Sequence, residues 1–243
     1  ICAYIILTLE ISSLIKGLNK PLTILIIQLT IILIIIILLR LMGVGFSRNL
    51  DVIKPILNPT ALLNFLKNNK LITLFGMVIL LAYGLGLFVS IKFPPNTSDV
   101  LYNHLSRVGY WLQQGSLEPY KGFIAIGSTY PFNNSLLIYW SVVFLKSDNL
   151  VGFIQLFSAI MISITIYEIS YRLGFSKTSS ILAGLTFLTF PIVILQASTA
   201  QNDLLAAAFV CIAFMFALNS FVHQSTSRIL FSSLALALAL GTK

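Results

Sequence analysis

The sequence predicts an all-α fold: a polytopic integral membrane helical bundle with amphipathic interfacial helices in a large first external loop. Two observations carry that expectation. Of 243 residues, 58% are hydrophobic and only 9% are charged, with a mean hydropathy of +0.97. Soluble domains carry roughly 25% charged residues, so this little charge cannot coat a water-facing surface. The apolar residues also gather into runs over about 22–42, 71–91, 150–171, 178–198 and 204–222. Each run is near the ~20 residues that a helix needs to cross the hydrocarbon core.

Taken in order, residues 1–15 read as a partial span interrupted by Glu10, and 229–242 as another at the far end. The chain begins at Ile1 and stops at Lys243 directly after an apolar run, which reads as a piece of a longer protein. Residues 1–70 read as additional N-terminal membrane helices with a basic loop, and 71–243 as the main transmembrane domain. Gly76, Gly84 and Gly86 suggest close helix packing in the second long run. Cys2 and Cys211 both lie in apolar runs and give neither metal spacing nor a disulfide framework. The net charge of +8 reports topology and anionic lipid. No basic cluster interleaved with aromatics points to nucleic acid.

Basic residues orient the runs. The stretch 40–70 carries Arg40, Arg48, Lys54, Lys67 and Lys70 against Asp51 and is expected on the cytoplasmic side. Run 71–91 then exits, and the loop 92–135 faces the other side. Arg172 and Lys177 mark the next cytoplasmic turn, and Arg228 the one after. The assignment requires that 136–145 does not cross. That run is short, carries Tyr139 and Trp140, and ends at Lys146-Ser147-Asp148-Asn149, so it is expected to lie flat on the outer leaflet. Run 150–171 then goes in and 178–198 comes out, placing Asp99 and Asp203 on one face. A crossing at 136–145 puts them on opposite faces. Lys16 and Lys20 fall outside, against the basic-residue rule.

The loop carries the chemistry. In a helix over 99–114, Leu101, Leu105, Val108 and Leu112 form an apolar stripe, with Asp99, Asn103, Arg107 and Gln114 opposite. Such a helix lies flat on the membrane. Asp99 is a candidate general base, or a cap after Thr97-Ser98 that favours the helix dipole. The guanidinium of Arg107 suits a phosphate. Asp203 is either the N-cap of 204–222 or a second functional acid. Lys243 either snorkels to headgroups or binds a lipid phosphate. His104 lies near Asp99, but a lone histidine in an amphipathic helix is more often a surface or packing residue. No second histidine is placed to share a metal. Glu168 and Arg172 form an i, i+4 pair at a helix end. Tyr130-Pro131-Phe132 opens the short helix, where proline suits the first turn.

These residues, in this order, resemble the polytopic GT-C glycosyltransferases. That group includes the protein O-mannosyltransferases, the aminoarabinose transferases of lipid A and the RgtA/B/C/D-like family. The resemblance rests on an early first-loop acid (Asp99), a Pro-led segment late in the loop (Tyr130-Pro131), a second acid at the next external turn (Asp203) and Gly241-Thr242-Lys243 after the next helix pair. Its most specific part is Asp99-Val-Leu-Tyr-Asn-His-Leu-Ser-Arg-Val-Gly-Tyr-Trp-Leu-Gln, and it covers about 71–243.

The resemblance implies a polyprenyl-phosphate sugar as donor, a glycan, lipid or protein acceptor, and one inverting displacement. It implies a bacterial or archaeal plasma membrane with the active site on the external face. Asp99 becomes the base. Asp203 orients the acceptor or helps hold a divalent metal, whose requirement stays open. Lys243 and Arg107 neutralise the departing phosphate, and Asn103, His104 and Tyr130 complete the candidate substrate-binding set. Phosphate leaves readily, so no general acid is needed, unlike the two-carboxylate glycosidases. The pattern departs in two places: Val100 stands where many relatives carry a second acid, and Tyr130 where the aminoarabinose transferases carry a lysine. Two other functions remain: a secondary transporter, whose acids and broken helices belong near the midplane, and a lipid-linked glycan ligase or polymerase.

Overall fold

A computed structural model describes residues 1–42, 59–119 and 130–243. Of the expected basic stretch 40–70, residues 43–58, including Arg48, Asp51 and Lys54, lie outside the described residues, as do 120–129 of the loop. Every regular element among the described residues is helical. In order these are α1 (Cys2–Leu14), α2 (Pro21–Leu41), α3 (Pro59–Asn68), α4 (Lys70–Lys92), a π-helical turn (Val100–Leu105) running into α5 (Ser106–Gln114), α6 (Asn133–Leu145), α7 (Phe153–Arg172), α8 (Lys177–Leu188), α9 (Pro191–Ala197), α10 (Asp203–His223) and α11 (Thr226–Leu240).

Among the described residues, four helices are long and apolar enough to cross a membrane: α2, α4, α7 and α10. They match four of the five expected runs. In α2 the seven consecutive residues Ile32–Leu38 are all exposed, by 42% to 57%. Seven residues cover the whole circumference of a helix, so this helix is bare on every side. Apolar surface left uncovered by protein on this scale belongs in lipid or against another chain.

The fifth expected span, 178–198, is two helices. The axes of α8 and α9 meet at 66° across Thr189 and Phe190. Pro191 is the cause. It lacks the N–H that a continuous helix would use, and it drives the preceding residue out of the helical region. Phe190 accordingly has φ −65° and ψ 126°, and Pro191 starts α9 at its first position.

Close approach of helices occurs elsewhere than the glycine pattern suggests. A Cβ placed on Gly76 or Gly84 would meet nothing within 4 Å, and on Gly86 only Ser198 at 3.4 Å. On Gly184 it would lie 2.7 Å from the Ser163 carbonyl oxygen. There α7 and α8 touch backbone to backbone, and Ser163 Oγ donates to the Gly184 carbonyl at 2.9 Å. Glu168 and Arg172 pair at 2.5 Å as the spacing predicts.

Two buried clusters organise the packing. One joins α4, α7, α8, α9 and α10 through residues such as Ala159, Ile162, Val193 and Ala208. The other joins α1, the π turn, α5 and α6 around Leu9, Val100, Trp111, Ile138 and Tyr139, and reaches Leu205 and Phe209 of α10.

The short helix α6 departs from expectation. The six consecutive residues Asn134–Tyr139 are all buried, which closes its whole circumference. It is a core helix sheathed by α1, α5 and the π turn rather than one lying open on a leaflet. It nevertheless does not carry the chain across the fold. At its first turn, Asn134 Nδ2 donates to the Ala200 carbonyl at 3.2 Å. Behind it, a Cβ on Gly152 would lie 3.3 Å from the Ser198 carbonyl. Both flanks of α6 thus return to one short loop, 198–200. The proline of Tyr130-Pro131-Phe132 also lies ahead of the helix, which begins at Asn133.

Candidate functional site

The stretch 98–114 is helical but not in the register of a uniform α-helix. The π turn Val100–Leu105 carries more residues per turn and rotates the faces. The buried positions are Val100, His104, Arg107, Val108 and Trp111, while Leu101 is 45% exposed. The expected flat amphipathic helix, with Arg107 on its wet face, is therefore corrected: Arg107 is 3% exposed and points inward. Gly115, at φ 71°, ends α5 in the left-handed conformation that glycine tolerates.

Asp99 does not cap this helix. It is itself helical, at φ −59° and ψ −46°, and makes no side-chain cap bond. Its Oδ1 accepts from Asn103 Nδ2 at 2.7 Å, one turn on. Its Oδ2 faces His104 Nε2 at 3.7 Å, and the side chain is 44% exposed. The carboxylate is held from two sides and open on the rest.

His104 is buried, and its Nδ1 lies 2.9 Å from Ser135 Oγ. Arg107 Nη1 donates to the same Ser135 oxygen at 3.4 Å, to the Pro131 carbonyl at 3.3 Å, and Nη2 donates to the Tyr130 carbonyl at 3.4 Å. A guanidinium only donates. Nε2 faces the Asp99 carboxylate, which favours the ring proton there. Nδ1 then accepts from the Ser135 hydroxyl, whose oxygen in turn accepts from Arg107. Burial lowers the His104 pKa, Arg107 adds to the lowering, and Asp99 and Asp203 oppose it. The ring is neutral at pH 7.

A serine, a histidine and an aspartate in contact resemble a nucleophilic triad. Access excludes it: Ser135 is 0% exposed and bonded to Arg107, so no substrate carbonyl reaches its hydroxyl.

Asp203 is the first residue of α10, and it too is not a cap. Asn202 holds the N-cap position without a side-chain cap bond, and its amide donates to the Thr242 carbonyl at 2.9 Å. Gln155 Oε1 accepts from the Leu204 N–H at 3.0 Å, taking up the helix start. The Asp203 carboxylate receives Gln196 Nε2 at 3.2 Å and forms an ion pair with Lys243. Lys243 is thus engaged by the second acid, with its side chain still 61% exposed. Tyr130 is exposed, and its carbonyl is held by Arg107.

The structure brings Asp99, Asn103, His104, Asp203 and Lys243 to one end of the helix assembly, where Asn133 N–H also meets the Gly241 carbonyl at 2.9 Å. Arg107 is buried against the same Ser135, with its guanidinium committed to the Tyr130 and Pro131 carbonyls. Sequence reasoning missed Ser135, Gln155 and Gln196. The polar run Asn133-Asn134-Ser135 at the head of an apolar helix is the signal that marks the first of them. Among the described residues, no three His, Cys, Asp or Glu side chains converge to hold a metal ion. Compared with models of protein families, with curated proteins and with solved structures, the chain matches none.

Proposed function

We propose that this chain carries the acid-bearing part of a membrane glycosyltransferase of the GT-C type. It moves a sugar from a polyprenyl-phosphate donor to an acceptor hydroxyl at the external face. The supporting observation is the open Asp99 carboxylate, braced by Asn103 and His104, with the Asp203–Lys243 pair at the same end of the assembly, where Asn202 bonds Thr242 and Asn133 bonds Gly241. The acceptor hydroxyl gives its proton to Asp99 as its oxygen attacks the anomeric carbon. The bond from that carbon to the phosphate oxygen breaks with inversion, and the electron pair leaves on the phosphate. Lys243, held by Asp203 and otherwise exposed, offers its ammonium to that developing charge. Arg107 is a positioning residue: it holds the Tyr130 and Pro131 carbonyls and orients Ser135.

A transporter reading draws on the broken helix α8–α9, since broken helices mark many transport sites. The acids oppose it. Glu168 is paired with Arg172, and Glu10 sits on an exposed face of α1.

The test is transfer from defined polyprenyl-phosphate sugars in membranes bearing the full-length protein. Asp99→Asn is expected to abolish transfer while leaving expression and insertion intact. Transfer at the unsubstituted rate sinks the base assignment.

A further inference from the structure

A cleft of about 130 Å³ opens between residues 94–97 and the loop 198–200. Its place is informative. The first wall leads into Asp99 two residues on, and the second leads into Asp203 three residues on. The α6–α7 turn closes it with Asp148 and Asn149, and the C-terminal end of α4 contributes Phe93. The wall is pinned: Ser90 Oγ donates to the Ser198 carbonyl at 2.6 Å.

The lining has a definite chemistry. Asn96, Asp148 and Asn149 have side chains with no protein hydrogen-bond partner among the described residues, and the buried Thr97 hydroxyl also has none. Together they offer two amides that donate and accept and one carboxylate that only accepts. Phe93, Pro94 and Pro95 supply flat apolar faces. Among the described residues, no lysine or arginine lines the cleft. A phosphate would meet a carboxylate there with no cation to balance it, which disfavours an anion. A neutral ring with hydroxyls on its edge and C–H groups on its face satisfies both kinds of wall. At about 10–15 Å³ of such space per water-sized atom group, the volume holds roughly ten groups, close to the heavy atoms of one hexose or pentose ring.

We propose that this cleft is the subsite for one neutral sugar ring of a glycan acceptor. The assignment to the acceptor, as opposed to a sugar in general, rests on the transferase reading above. The donor's sugar arrives attached to a phosphate, and no cation among the described lining residues would balance that charge.

The test uses full-length protein in lipid nanodiscs and a panel of methyl glycosides of neutral hexoses and pentoses, followed by saturation-transfer NMR. At least one glycoside is expected to bind saturably. Asp148→Asn and Asn149→Ala are expected to weaken it tenfold or more, with the thermal unfolding midpoint unchanged. Asp99→Asn is expected to leave this binding in place while abolishing transfer, so the two proposals fail separately. If no member of the panel saturates, or if inorganic phosphate displaces the glycoside, the sugar subsite is wrong. Displacement by a polyprenyl-phosphate sugar alone, with free glycan having no effect, assigns the ring to the donor and overturns the acceptor reading.

Discussion

Ser135→Ala probes the chain of bonds that orients His104 toward Asp99. The hydroxyl is wholly buried, lies 2.9 Å from His104 Nδ1, and accepts from Arg107 at 3.4 Å. Removing it leaves a buried ring nitrogen without a donor. Arg107 keeps the Tyr130 and Pro131 carbonyls, so the loss falls mainly on His104. A buried polar group left unpaired costs about 1–3 kcal/mol. In a chain of this size each ~1 kcal/mol moves the thermal midpoint by roughly 2–4 °C, so the expected fall is about 2–12 °C. His104→Ala removes the other partner and some packing. In the double variant the orphaned nitrogen is gone, so the combined loss should fall short of the sum by about 0.5–3 kcal/mol. The assay is thermal unfolding of full-length protein in one detergent, for the four members of the cycle. Losses that add to within ~0.5 kcal/mol would refute the Ser135–His104 bond and, with it, the assigned ring proton.

Gly184→Ala drives a Cβ to 2.7 Å from the Ser163 carbonyl, whereas Gly76→Ala meets nothing. Overpacking costs about 1–3 kcal/mol and alanine favours a helix by ~1 kcal/mol. Unfolding midpoints should therefore fall for Gly184→Ala relative to Gly76→Ala, and equal midpoints would contradict the α7–α8 contact. The buried His104 binds a proton less readily folded than unfolded. Below its unfolded value of about 6.5 the unfolded chain holds the extra proton, so stability drops as pH falls through that value and levels off below the folded pKa. Denaturation midpoints from pH 7.5 to 5 should show this dependence, and His104→Asn should flatten it. Cysteines introduced at Asp99 and Asp203 should label with an impermeant thiol reagent from the same side of sealed vesicles. Labelling from opposite sides would overturn the shared face. Lys243→Gln should change stability by less than ~1 kcal/mol, since the pair with Asp203 is mostly exposed, yet slow transfer.

The long helices were legible because hydropathy alone specifies them: α2, α4, α7 and α10 match their runs to within a few residues. The fifth is bent at Pro191 into a pair that still passes as one broken span, because a continuous apolar run hides a backbone that cannot continue straight. The first-loop helix failed in register, because its reading assumed 3.6 residues per turn throughout and a wet face for any arginine. Arg107 instead finds carbonyls at Tyr130 and Pro131 that no local pattern could reveal. Asp99 lies in the helical stretch after α4 and Asp203 opens α10, and both local capping readings fall to geometry. Other residues take those duties, and Gln155 does so from 49 positions away. Helix α6 was legible as a helix too short to cross, but not as a core element, since burial by α1 depends on contacts across more than a hundred residues.

That contact sets an order of assembly. Tyr139 Oη donates to the Leu18 carbonyl across 121 positions. At about 5–20 residues per second, synthesis separates the two by roughly 6–24 s. Through that interval α1 exists without the helix that will cover it. Its buried polar groups are prepared for the wait: Thr8 Oγ1 donates to the Tyr4 carbonyl at 2.8 Å and Ser12 Oγ to the Thr8 carbonyl at 2.7 Å, both within its own helix. The helix can rest in an apolar setting with these hydroxyls satisfied, then exchange lipid for α6 once Asn133–Leu145 arrives. Asn103 can brace Asp99 from within its own helix, but the Ser135 bond that holds His104 comes into being only at that step, so a nascent chain stalled before it would carry the acid without its histidine held in place.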